Sequence, residues 1–346
     1  MKLRWLLLSL TSIFLLSSPV KANLNTNQVD SADGGSGNQS DLQLPELKFI
    51  PPTPSSNFLN PRGIPKYTGI VPLGREISEL QTPIKALIAR NRFLTPGIFF
   101  MDLETGDYLN INGSQPFSAA STIKYPILIA LFQGIDTGRI KLNETLVMQR
   151  KHVTGGSGDM QYRRVGTKIS LLETVTKMMT VSDNTATNII IDRLGGKANL
   201  NQRFRTWGLQ STVINNMLGD FKGTNKTSAK DLVRLSALIT NNQLISNTSR
   251  SQVLGIMIRC HNRSLLPSGL GYGASIAHKT GTLRFVLGDA GIIETPSGKR
   301  YLAGIFVRRP NNDERATAFI RQVSQMVYGY FEQPKVSHLS SSEFGK

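Results

Sequence analysis

The chain has 346 residues, with 40 Lys and Arg against 23 Asp and Glu, a formal net charge of +17 at pH 7, and a single cysteine, Cys260. One cysteine excludes an intramolecular disulfide, so stability must come from a hydrophobic core, and the chain is long enough to bury one without cross-links. The positive balance suits anionic surroundings.

Residues 1–22 combine a basic start (Lys2, Arg4), an apolar run from Leu6 to Leu16 and a small-residue site at Val20-Lys21-Ala22, the pattern of an export signal. The run is shorter than the roughly 17 residues that span a bilayer, and no cysteine follows it for lipid attachment. Export implies an extracytoplasmic, periplasmic-type location, with tethering if the signal stays uncleaved. Loss of Lys2, Arg4 and Lys21 leaves +14. In that setting the expected anionic contacts are cell-wall polymers or a membrane surface, not nucleic acid. Residues 23–66 are rich in Ser, Gly, Asn and Pro and read as a disordered linker. The expected catalytic domain is 67–335, with a disordered tail at 336–346.

A helix is expected from about Arg75 to Ala89. A hairpin follows, with Gly97–Asp102 and a strand ending at Ile111 joined by the turn at Glu104–Asp107. Beyond Ser121 the run Ile127–Phe132 reads as a buried helix, with Pro126 tolerable near its first turn. Ser170 and Glu173 form a capping-box pattern before Leu171, Leu172, Val175, Met178 and Met179 at helical spacing. Further helices are expected over about Thr185–Leu194 (with Gly195 as stop), Ser228–Thr240 and Thr248–Cys260. Extended segments at Ile276–Thr282, Ala290–Glu294 and Tyr301–Val307 precede a final helix over about Asp313–Phe331. The expected fold class is α+β: an antiparallel sheet built from both ends of the domain and flanked by helices, with an inserted all-helical subdomain and a groove between the two.

Three short peptides carry the chemistry: Ser121-Thr-Ile-Lys124, Ser182-Asp-Asn184 and Lys279-Thr-Gly281. S-x-x-K alone is weak, since roughly one should occur by chance in such a chain, and Ser18 with Lys21 is a decoy inside the export signal. The ordered triple is far more specific. Ser121 and Lys124, three apart at a helix start, share a face, so the amine can take the proton of a serine nucleophile. For that it must be unprotonated, and burial near a second cation, Lys279, would favour the neutral form. Ser182 can relay a proton to a departing amine, and Asn184 can hold a substrate amide. Thr280 and Thr282 can bind a substrate carboxylate, Gly281 permits close backbone approach, and the amides of Ser121 and Thr282 are the expected oxyanion hole. Asp183 reads as a structural hydrogen-bond acceptor.

This motif set resembles that of the class A β-lactamases and penicillin-binding proteins. The resemblance runs from about Arg75 to Phe331; Val181–Asn188 and His278–Thr282 are most similar to class A enzymes. It implies a β-lactamase/transpeptidase-like fold, with catalytic roles for Ser121, Lys124, Ser182 and Lys279 and substrate contacts from Asn184, Thr280, Gly281 and Thr282. One departure bears on function. Class A β-lactamases activate the deacylating water with a loop glutamate, in a Glu-x-x-Leu-Asn pattern. Here no glutamate occurs between Glu173 and Glu294, and the loop at about Leu209–Thr227 looks shortened, with Asp220 as its only carboxylate. The neighbouring glycine makes a turn role the first reading of Asp220 and a substitute base the second.

The expectation is therefore a D,D-peptidase acting on peptidoglycan stem peptides and acylated by β-lactams, similar to small penicillin-binding proteins lacking that glutamate. The alternatives are a β-lactamase with an unusual deacylation base and a non-catalytic penicillin- or wall-binding module. No cofactor is expected, and no metal, because His152, His261, His278 and His338 lack ligand spacing. A monomer is expected. Cys260 reads as buried and inert, Gly155-Gly-Ser-Gly158 as a rim loop, and Arg263 or Arg284 as surface cations or carboxylate contacts.

Overall fold

The computed structural model describes residues 72–332. The expected export signal, linker and tail lie outside the described residues. In chain order the elements are α1 (Ser78–Arg90), β1 (Thr95–Asp102), β2 (Tyr108–Ile111), β3 (Phe117–Ser118), α2 (Lys124–Asp136), β4 (Thr145–Val147), β5 (Lys168–Ser170), α3 (Leu171–Thr180), α4 (Asn184–Arg193), α5 (Gly196–Thr206), β6 (Lys226–Thr227), α6 (Ala229–Thr240), α7 (Asn247–Ile258), β7 (Ser275–Leu283), β8 (Val286–Glu294), β9 (Arg300–Arg308) and α8 (Arg315–Glu332). A single turn of 3-10 helix, Ala120–Ile123, leads into α2.

Five strands pair antiparallel in the order β2-β1-β9-β8-β7, so the first hairpin joins the last three strands in one sheet, and β7 is an edge. Both faces are covered. Strand alternation sends Ile276, Leu287, Ile293 and Ile305 into one cluster with α1 and α8, while Ala277, Ala290, Ile292 and Phe306 join the helices inserted between the two halves of the sheet. Double coverage explains why β8 and β9 read as almost continuous apolar runs. The same logic applies to α2, apolar on every side and buried along most of its length, with the Tyr125 hydroxyl matched by Ser236 Oγ at 2.9 Å.

The insertion is not all-helical as expected: β4 pairs with β5 and β3 with β6 in two short antiparallel ladders, strands of two or three residues being too short to show alternation in the sequence. The structure departs from the sequence reading in three further places. The capping box of α3 is half formed: Ser170 Oγ accepts from the Glu173 amide, but the Glu173 carboxylate turns to Arg163 at 2.7 Å. The helix α5 has no counterpart among the expected elements, because only Leu200 and Phe204 are buried and two apolar residues four apart make a faint pattern. The segment that carries Ser121 is a 3-10 turn, with the regular helix starting only at Lys124.

α6 packs on β9 without a spacer: a Cβ on Gly304 would stand 2.5 Å from the Ala229 carbonyl oxygen. Gly304→Ala is therefore expected to destabilise the fold by about 1–3 kcal/mol, read as a lower urea midpoint at unchanged slope.

Candidate active site

Ser121 sits half-buried in the 3-10 turn, which is set by the Ala119 carbonyl accepting from both the amide and the hydroxyl of Thr122 (3.1 and 2.6 Å). Ala120 takes a positive φ of 47° to enter the turn. β7 runs directly alongside: a Cβ on Gly281 would lie 2.8 Å from the Ala119 oxygen and 3.0 Å from the Thr122 nitrogen. Only glycine lets the edge strand approach this closely.

The Lys124 amine is fully buried and surrounded by four oxygens: Ser121 Oγ at 3.0 Å, Ser182 Oγ at 3.0 Å, Ser182 O at 2.6 Å and Asn184 Oδ1 at 2.9 Å. The carbonyl and the amide oxygen can only accept. Asn184 is oriented by its other end, since Nδ2 donates to Gly155 O at 3.0 Å. A neutral amine fits this set: its two N–H groups serve the obligate acceptors, and its lone pair faces two hydroxyls that can donate. Burial first, then the Lys279 charge, pushes the Lys124 ammonium well below the ordinary lysine range, with Asp183 opposing. The arrangement can deprotonate Ser121 and pass the proton to Ser182.

Ser182 reaches Lys124 through a left-handed backbone, φ 59°. It is held there by its neighbours. Asp183 caps α4, accepting from Ala186 N at 2.8 Å, and its second oxygen accepts from Met160 N at 2.9 Å, so the carboxylate is structural, as the sequence suggested. The glycine loop packs onto this motif. Gly158 (φ 95°) lies so close that a Cβ would meet Asp183 Oδ2 at 2.1 Å, and Ser157 O accepts the Asn184 amide.

Lys279, on the edge strand, is also buried, and its amine donates to the Thr280 carbonyl at 2.9 Å. Thr280 is buried, while Thr282 is exposed and offers the more accessible hydroxyl. Cys260 is buried, 3.9 Å from the Asn262 carbonyl.

The loop before β6 crosses to this site. The Leu218 amide donates to Asn188 Oδ1, and the Leu218 carbonyl accepts from Asn188 Nδ2. Asn188 lies one helical turn beyond Asn184, and the Gly219 amide donates to Thr154 Oγ1 at 2.9 Å. The loop residue clamped to the S-D-N helix is thus a buried leucine. Asp220 is engaged within the loop, accepting from Thr224 Oγ1 at 2.8 Å and from Asn225 N at 2.7 Å. The Asn188 clamp escaped the sequence reading; its spacing from Asn184 was the available signal. A cavity of about 210 Å³ between α6 and β1, lined by Phe99, Met101, Val233 and Lys230 among others, contains none of the motif residues. The motif residues gather instead beside β7.

Comparison with known proteins agrees with this fold. A family model described as the beta-lactamase enzyme family matches residues 79–331. The extended-spectrum beta-lactamase PER-1 of Pseudomonas aeruginosa is 27% identical over 253 residues, covering 67% of this chain and 80% of that protein. The solved structure of PBP-A is 49% identical with a TM-score of 0.74, covering 76% of this chain and 99% of that one. A leucine-to-glutamate variant of PBP-A, an acyl-enzyme complex with penicillin G, matches at the same identity and TM-score, over 75% of this chain and 99% of its own.

Two outcomes follow from the geometry. Asp220→Ala removes the acceptor of the Asn225 amide, and because a hydrogen bond to a charged group contributes about 1.5–3 kcal/mol, that amide should exchange with solvent about 10- to 100-fold faster in hydrogen-exchange NMR. If Lys124 serves as base, the neutral form is active, so acylation of Ser121 should rise with pH along a limb well below the ordinary lysine range. Lys124→Ala should erase that limb and slow acylation about 100- to 10,000-fold, measured by intact-mass kinetics.

Proposed function

Because this chain belongs to the beta-lactamase enzyme family, a family of serine hydrolases, we propose that it is a D,D-peptidase acting on the D-Ala-D-Ala end of peptidoglycan stem peptides and acylated by penicillins. In this reading Ser121 Oγ attacks the carbonyl carbon of the scissile bond while its proton passes to Lys124 Nζ. The amides of Ser121 and Thr282 hold the developing oxyanion, and the substrate carboxylate meets Lys279, Thr280 and Thr282 at the edge of β7. Asn184 contacts the substrate amide. The C–N bond breaks as Ser182 hands a proton to the leaving amine and regains one from Lys124, leaving an ester on Ser121. Water or an amine then attacks that ester and regenerates the serine.

The observation that carries the preference for a peptidase concerns this last step. Asp220, the only carboxylate of the loop at Leu209–Thr227, is bonded to Thr224 and Asn225, and the loop residue held on the S-D-N helix is Leu218. Absence of a positioned general base slows a proton-transfer step by about 100- to 10,000-fold. A bulky penicilloyl ester should then persist. The proposal includes export by residues 1–22 to the compartment that holds the cell wall, and action there as a monomer.

Incubation with benzylpenicillin is expected to give a stoichiometric adduct on Ser121 that lasts through an intact-mass time course, with D-alanine released from a peptide ending in D-Ala-D-Ala. Rapid multiple-turnover hydrolysis of nitrocefin would assign the chain to β-lactamase chemistry instead. Ligand binding that survives Ser121→Ala, with no product from the parent protein, would leave only a binding module.

A further inference from the structure

The cavity between α6 and β1 contains no motif residue, yet its walls include both ends of the loop that carries Leu218. β1 turns Phe99 and Met101 toward the inserted helices, while Ile98 and Phe100 enter the other core. On the other side of this space of about 210 Å³ is one face of α6, where Val233 and Arg234 stand three and four residues beyond Lys230. Phe99, Met101 and Val233 are buried and give an apolar lining. Two cations border it. The Lys230 ammonium lies 5.8 Å from the centre of the Phe99 ring, and Arg234 Nε donates to the Trp207 carbonyl at 2.8 Å. Among the described residues neither forms an ion pair.

The carboxylate in the lining is Asp231, and both of its oxygens are engaged. Oδ1 accepts from the Gln210 amide at 3.2 Å, and Oδ2 accepts from the Ser211 amide at 2.8 Å and the Thr212 hydroxyl at 2.7 Å. Two cations against one acid leave a surplus positive charge beside apolar surface. A molecule with an apolar body and a single carboxylate complements both features. At protein packing density the space takes roughly ten non-hydrogen atoms, the size of one aromatic ring with a short acid chain.

The same contacts close the base of the loop. Thr212 also meets the Thr227 hydroxyl at 2.9 Å, Val213 pairs with Lys226, and Asn225 Oδ1 accepts the amides of Asn215 and Asn216. From there the Asn225 amide reaches Asp220, two residues from the Leu218 clamp on Asn188. Gln210 and Ser211 line the cavity from one end of the loop and Ser228 from the other. An occupant touching both ends binds only while they are together, so its binding free energy adds to the stability of the closed loop.

We propose that this cavity is an effector site for small aromatic carboxylates, whose occupant holds the loop bearing Leu218 against the S-D-N helix. The carboxylate lies between Lys230 and Arg234, and the ring lies against Phe99, Met101 and Val233. Neither the site nor its link to the loop depends on which ester Ser121 carries.

The test uses 3-phenylpropionate as the probe and NMR of the full chain. The Met101 methyl signal should shift saturably, and 3-phenylpropanol, which keeps the ring and lacks the charge, should bind about three- to tenfold more weakly. Lys230→Glu, an exposed substitution outside the motif residues, should weaken 3-phenylpropionate about tenfold or more. At a concentration ten times Kd the Leu218 and Asn225 amides should exchange with solvent about tenfold more slowly, and in Lys230→Glu the same concentration should have little effect. Equal binding of acid and alcohol overturns the assignment of a carboxylate. No saturable shift, as would follow if another part of the chain or a second copy filled the space, overturns the site. Saturable binding with unchanged exchange at Leu218 and Asn225 overturns the link to the loop.

Discussion

The structure turns on one buried amine. Lys124 has no contact with solvent, so each of its polar demands must be met by protein atoms, and those come from Ser121 on its own turn and from Ser182 and Asn184 almost sixty residues further along the chain. Much of the local geometry follows from that requirement. Ser182 takes a left-handed backbone to present both its hydroxyl and its carbonyl, Asp183 caps α4 and ties the bend to Met160, and Asn184 is turned so that its carbonyl end faces the amine. A left-handed serine is an uncommon conformation, stable only where its surroundings over-determine it. Here the glycine loop supplies that constraint, lying so near Asp183 that no side chain fits at Gly158.

The sheet contributes the other half of the site. As an edge strand β7 has one side free of strand pairing, and Gly281 allows its backbone to run against the turn that carries Ser121. The second buried lysine enters from the same strand, so helical and sheet halves each present an amine to one groove. Two amines taken out of water beside one another cannot both be comfortably charged. The helical half surrounds its amine with oxygens that a neutral group satisfies.

Much of this was legible in the residue order. The three motifs named the candidates that the fold gathers around one buried amine; the first hairpin and the last three strands were readable from alternation and turn residues; and the buried character of α2 followed from its unbroken apolar run. The reading failed where the signal was weak or non-local. α5 buries only two apolar residues and so has almost no helical periodicity, and Glu173 completed the pattern of a capping box yet found a stronger partner in Arg163, a charged donor. Asn188 was an unremarked member of a motif run until the loop carrying Leu218 folded against it.

Residue order alone determined the chemical inventory: which hydroxyls, amines and amides exist, their helical spacing, and the lack of a glutamate between Glu173 and Glu294. Tertiary structure decided what each group is free to do. It spent the Asp220 carboxylate on Thr224 and Asn225, clamped a leucine to the S-D-N helix, and buried both lysines in unlike surroundings. The physical reason is that a functional group is a property of one residue, whereas its protonation, orientation and availability depend on desolvation and on hydrogen-bond partners that only folding brings together from distant parts of the chain.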